Sequence, residues 1–164
     1  MARPRAVVVA ILAAASLGGW WLGAQRRTAT AEYTVVAVTD GDTIEVAGAN
    51  GDRDRVRLLG IDTPETHHPT EPVECFGPEA AAYTTRRLAG RTIRLESDVE
   101  TRDRYGRRLA YVLVDGERFN DELLRLGYAE LLVIDPNHAH ARTMLRAELE
   151  AKRERLGLWG ACGA

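Results

Sequence analysis

One stretch limits what this chain can fold into more than any other: Val56-Arg57-Leu58-Leu59-Gly60-Ile61-Asp62-Thr63-Pro64-Glu65-Thr66. It starts as an apolar strand, crosses a glycine and enters a turn carrying two carboxylates three residues apart. Arg57 lies five positions before Asp62. On an unbroken strand an odd separation sends side chains to opposite faces, so the two would diverge. A strand glycine often marks a bulge, and one extra residue at Gly60 would bring both side chains to one side. Pro64 fixes its own φ and biases Thr63 away from helix, so Asp62, Thr63 and Glu65 leave the strand in a rigid turn. Two acids and a guanidinium at a strand end suit a metal-assisted site for an anionic substrate.

The rest of the pattern supplies a frame for that turn. Residues 33–39 are rich in Val and Thr and predict a strand. Asp40-Gly41 is a hairpin signal, 43–46 the return strand, and 55–61 the third. Residues 66–76, with two prolines and two histidines, predict an irregular loop. Pro78 and Glu79 open a helix that Gly90 closes. Strands are expected over 92–96 and 108–114, joined by the charged connection 97–107. Asp115-Gly116 is a further turn. Asn120 is expected to cap a short helix ending at Gly127, before a short apolar segment at 129–134. Residues 136–156 predict the last helix, with Ala141, Leu145, Leu149 and Leu156 near helical spacing. Trp159 and Cys162 are expected to fold back onto the body. Five short strands and three helices point to a small antiparallel barrel or sheet with packed helices.

The front of the chain differs. Arg3 and Arg5 precede residues 6–22, which carry no charge, and Arg26-Arg27 follow. Residues 1–31 fit a secretory signal peptide with Ala29-Thr30-Ala31 as a cleavage site, and equally an uncleaved anchor through residues 6–22. Either places the domain, 32–164, outside the cytoplasm, secreted or membrane-anchored. From Glu32 onward there are 18 basic and 24 acidic residues, a formal charge of −6 against −2 for the whole chain. General nucleic-acid affinity calls for the opposite balance, so any phosphate contact must come from a local basic site. Outside the cytoplasm Cys75 and Cys162 are expected to form a disulfide, with two separate thiols as the alternative. Their spacing has no metal-ligand signature. His67, His68, His138 and His140 read as surface residues rather than zinc ligands.

Two further clusters could carry chemistry. Asp40-Gly41-Asp42-Thr43 is at least a hairpin turn, but Asp42 is surplus to it. If Asp42 faces Asp62, two carboxylates and a backbone carbonyl form a hard-oxygen site suited to Ca²⁺ or Mg²⁺. Asp103-Arg104-Tyr105-Gly106-Arg107 is either a solvated loop or the source of a second guanidinium opposite Arg57, able to grip phosphate oxygens.

Taken together, the blocks Val38-x-Asp40-Gly41-Asp42-Thr43, Arg57-Leu58-Leu59-x-x-Asp62-Thr63-Pro64-Glu65-Thr66, Gly77-Pro78-Glu79-Ala80, Asp103-x-Tyr105-Gly106-Arg107-x-Leu109-Ala110-Tyr111 and Leu156-x-x-Trp159 resemble the staphylococcal-nuclease (thermonuclease) family. The resemblance implies an α+β, mainly β OB-fold: a five-stranded barrel with three helices. It also implies a Ca²⁺-dependent nuclease that cuts DNA and RNA to leave 3′-phosphates; the domain is expected to be a monomer. By matching positions, Asp42 and Asp62 would hold the metal with the Thr63 carbonyl, and Asp40 would bridge to it through water. Glu65 would be the general base, Arg57 and Arg107 the phosphate clamp, and Arg104 and Tyr105 substrate-binding. Two departures stand out. Leu131-Leu132-Val133-Ile134 occupies the place of the family's pocket tyrosines, and the loop after Glu65 lacks lysines; both changes predict weaker nucleotide binding. The alternatives are a non-cutting OB-fold module and a small-nucleotide phosphodiesterase.

Overall fold

The computed structural model describes residues 31–66 and 72–163. The proposed leader, residues 6–22 included, and the histidines at 67 and 68 lie outside them. Among the described residues no helix is long and apolar enough to cross a membrane.

Five strands close on themselves. They are β1 (Glu32–Val38), β2 (Thr43–Ala47), β3 (Arg53–Leu58), β5 (Thr92–Glu96) and β6 (Arg108–Val114). The sheet order is β3-β2-β1-β5-β6, and a parallel β3–β6 pairing shuts the barrel. The barrel is therefore mixed rather than purely antiparallel, and it is the five-stranded OB-type barrel expected. Alternation explains the filling: Ile44, Val46, Val56 and Val112 are fully buried, while Arg53 and Arg55 of β3 face out.

Gly60 is where the predicted third strand divides. Its φ of +74° is the left-handed conformation that favours glycine, and a Cβ there would also displace the Met144 methyl, 2.6 Å away. The chain resumes as β4 (Ile61–Asp62), which leaves the barrel and pairs with β8 (Glu130–Leu131). The bend replaces a simple bulge.

Helix α1 (Gly77–Leu88) has Pro78 in its first turn, and Gly90 beyond its end has φ +72°. Asp115 and Gly116 both take positive φ in a tight hairpin to β7 (Glu117–Arg118), a strand too short for periodicity to reveal. Helix α2 spans Phe119–Arg125. Asn120 is not its cap. It is fully buried inside the helix, its Oδ1 accepting from Val112 N–H (2.9 Å) and its Nδ2 donating to the Leu59 carbonyl (2.8 Å).

The last long helix, α3 (Ala141–Glu154), begins five residues later than predicted, after a cis Asp135–Pro136 bond. Its buried face is Met144, Ala147, Glu148 and Ala151, whereas Leu145 and Leu149 are 43% and 53% exposed. The predicted apolar stripe thus lies on the solvent side. The tail does fold back: α4 (Leu158–Ala161) buries Leu158, and Cys162 is bridged to Cys75.

Candidate active site at the barrel mouth

The hairpin turn between β1 and β2 carries Asp40 and Asp42, and the β4 exit carries Asp62, Thr63 and Glu65. Asp40 Oδ1 accepts from the Asp42 N–H (3.2 Å), as an Asx turn requires. Gly41 is required by crowding: a Cβ there would lie 2.7 Å from the Thr63 side chain. From α1, the buried Thr84 hydroxyl donates to the Gly41 carbonyl (2.8 Å) and fixes the turn from behind.

Arg57 joins the two acidic segments. Its Nη1 lies 3.0 Å from Asp42 Oδ2 and its Nη2 donates to Asp62 Oδ1 at 2.7 Å. Nη1 also donates to the carbonyls of Leu58 (3.0 Å) and Ile61 (2.8 Å), so the guanidinium is locked in the bend that Gly60 makes. Asp42 is only 5% exposed, and its Oδ2 also accepts the Thr63 N–H (3.0 Å). Burial pushes the Asp42 carboxyl up to about 7; Arg57 opposes the shift, and Asp40 adds to it. A buried carboxylate this costly to ionise, beside further acids, calls for more positive charge than one arginine provides.

Glu65 is more exposed. Its carboxyl is raised above the usual value by partial burial, then by the charges of Asp40 and Asp62, with Arg57 opposing. Its backbone is held at both ends: Glu65 N–H donates to Glu74 Oε2 (2.9 Å), and Glu74 N–H donates back to the Glu65 carbonyl (3.0 Å). Cys75, next in sequence, carries the bridge to Cys162.

Arg107 comes from the turn before β6. Asp103 builds that turn, accepting the N–H groups of Tyr105 and Arg107 on Oδ1 (2.9 Å each). Its Oδ2 takes Arg107 Nε at 2.7 Å, and the two terminal nitrogens of the guanidinium make no hydrogen bond among the described residues. Although its own burial works against ionisation, Asp103 is held below the usual carboxylate range by these Arg107 bonds. Arg104 and Arg107 flank the Tyr105 ring at 4.8 and 5.5 Å, and Tyr105 is 68% exposed. Arg57, Arg104, Tyr105 and Arg107 line one cleft of about 480 Å³, with Leu132 and Ile134 on its far wall.

The structure therefore gathers Asp40, Asp42, Asp62, Thr63 and Arg57 into one cluster. Glu65 stands within electrostatic reach of Asp40, Asp62 and Arg57, and Arg107 lines the same cleft as Arg57. Among the described residues no three His, Cys, Asp or Glu side chains converge as at an all-side-chain metal site. The available donors are two carboxylates and main-chain oxygen. His140 instead pairs with Glu96 (2.9 Å) and meets the Tyr111 ring edge-on. Thr84 and Glu74 support the site and carry no sequence signal beyond being polar, whereas Asp103 belongs to the 103–107 block that carries the resemblance, without a role assigned to it there.

The staphylococcal nuclease homologue family model matches residues 55–161. The chain belongs to the staphylococcal nuclease family. It is 41% identical over 127 residues to a thermonuclease of Staphylococcus intermedius, an alignment covering 77% of this chain and 75% of that protein. A thermonuclease of Staphylococcus hyicus is 39% identical over the same shares. Endonuclease YncB of Bacillus subtilis is 39% identical over 79% of this chain and 62% of its own length. As a member of this family the chain is a nuclease, a phosphodiester-hydrolysing enzyme.

Proposed function

We propose that this nuclease acts on DNA and RNA through a single Ca²⁺-assisted hydrolytic centre and leaves 3′-phosphates. The observation that carries the proposal is the Arg57 guanidinium wedged between Asp42 and Asp62, on the cleft that Arg107 also lines. Asp42, Asp62 and the Thr63 carbonyl would hold the metal, with Asp40 behind them through water. The donor set fits, because it is all hard oxygen and because buried Asp42 is short of positive charge. When bound, such an ion polarises a phosphate oxygen and supplies charge where the transition state needs it.

The chain's own residues would do the rest. Arg57 and Arg107 approach a phosphodiester from two sides and stabilise the charge that accumulates on its oxygens during attack. Glu65 takes the proton of the attacking water; its raised affinity for a proton suits a general base near neutral pH. Arg104 and Tyr105 meet the substrate at the cleft rim. Leu132 and Ile134 offer a nucleobase apolar contact in place of ring stacking.

The Cys75–Cys162 bridge supports an extracytoplasmic setting, since such bonds persist in oxidising compartments. Residues 1–31 would then act as signal peptide or anchor, and the domain would work as a monomer. The deciding assay uses single-stranded DNA, duplex DNA and RNA with Ca²⁺ and with a chelator, alongside Glu65→Gln. Loss of cutting in chelator and a drop of about 10²-fold or more in the variant are expected. Full activity in chelator would end the metal assignment, and normal turnover by the variant would end that of the base.

A further inference from the structure

Arg57 is the last of three arginines that alternate along β3. Positions 53, 55 and 57 share the outer face of the barrel, while Val56 and Leu58 between them are buried. Arg53 and Arg55 are both exposed, and among the described residues neither side chain has an ion pair or side-chain hydrogen bond. Glu45 is the acid facing Arg55 across the β2–β3 ladder, yet the two do not pair. On the other side β6 runs parallel, with Arg108 opposite Val56 and Leu109 opposite Arg57, and Arg107 immediately precedes this register. Arg53, Arg55 and Arg57 thus form a row of three guanidinium-bearing positions along β3. Alternate residues on a strand are about 6.6 Å apart, close to one nucleotide step of an extended chain. In a domain of charge −6 this row is a local cationic track leading out of the cleft.

We infer that Arg55, with Arg53 beyond it, forms a second phosphate subsite that holds the phosphate next to the one being cut. It makes the enzyme prefer a polynucleotide strand to a single phosphodiester. The inference rests on Arg57 and Arg107 gripping the scissile phosphate. A basic groove that follows the backbone is how sequence-neutral binding to single strands is achieved.

The test measures binding in Ca²⁺ on a Glu65→Gln background, using fluorescence anisotropy with labelled decathymidylate and with a thymidine dinucleotide. Adding Arg55→Ala should weaken decamer binding by about threefold to tenfold and reduce the salt slope by about 0.7, the value for one lost single-strand phosphate contact. The dinucleotide, having one phosphodiester, should be affected far less. Arg142→Ala, which removes an exposed arginine on α3, is the control for net charge. Decamer binding by the Arg55 variant that matches the Arg142 control overturns the subsite. So does an equal loss on both ligands, which would place Arg55 in the clamp itself. Normal cleavage by Arg57→Ala and Arg107→Ala, in the otherwise native chain, would instead remove the clamp and the adjacency with it.

Discussion

Asp42 is the residue on which the site turns. Its carboxylate is buried beneath Thr63, and burial outweighs the pull of Arg57 in setting its proton affinity. Because the folded value lies above the unfolded one, the fold binds a proton there that the unfolded chain has released. The associated stability is present below about pH 4 and is lost as pH rises towards about 7. In chelator, thermal stability should therefore decline across that window through this group. Asp42→Asn should flatten the decline, and Ca²⁺ should offset it in the native protein; a melt series at pH 4 to 8 reads all three. Gly41 is the neighbouring test. An alanine Cβ would displace Thr63, so Gly41→Ala should lower Ca²⁺ affinity, seen as a rightward shift in the activity titration. Loss of one arginine removes a preorganised donor to developing charge. Arg57→Ala and Arg107→Ala should each slow turnover by about 10²–10³-fold or more. Arg57→Ala should also destabilise the protein, because it leaves Asp42 and Asp62 without their shared cation.

At the scale of elements, two α1 side chains converge on one carboxylate of α2. Arg87 on α1 reaches Glu122 on α2 through Nε (2.7 Å) and Nη2 (2.9 Å), and Tyr83 donates to the same carboxylate. Arg87 holds the Glu122 carboxyl below its usual value, against partial burial. Stability from a depressed acid is present above the unfolded value, about 4.5, and is lost as pH falls through the folded one. The stability gap between native protein and Glu122→Gln should thus be open at neutral pH and close progressively below pH 4 in urea titrations. Helix α3 shows what periodicity could and could not reveal. Ala141, Leu145 and Leu149 form a clean apolar line, yet the helix turns Met144, Ala147 and Ala151 inward and satisfies buried Glu148 with the Leu131 N–H and Lys152. A sequence stripe cannot say which of two adjacent faces meets the core when the other contains a buried acid. Met144→Ala should cost about 2–4 kcal/mol and Leu149→Ala less than about 0.5, by denaturant unfolding. By contrast, the meeting of Arg57 with Asp62 was legible, since a glycine between them at odd spacing forces a bend. Thr84 and Glu74 were not, because a bond to a main-chain group leaves no pattern of residue types.

For the molecule as a whole, one covalent tie links the chemistry to the end of the chain. Cys75 and Cys162 stand 87 residues apart, and Cys75 directly follows Glu74, whose bonds hold the Glu65 backbone. The bridge lies outside the core, where Ile44, Val46, Val56 and Val112 of the barrel form one cluster with Leu88, Leu123 and Met144 of the helices. What the bridge adds is a limit on how far the unfolded chain can spread, and a fixed post beside the Glu74 that holds the Glu65 backbone. Removing it with Cys75→Ser/Cys162→Ser should lower unfolding free energy by about 2–5 kcal/mol. At temperatures where the variant remains folded, turnover should fall more than substrate binding, because Glu65 loses a support while Arg57 and Arg107 lose nothing. A KM that rises as much as kcat falls would count against this, since it would mean that the phosphate clamp had loosened too. The same chain made in a reducing compartment would lack the tie, so full activity and an oxidising surrounding are linked through this one bond.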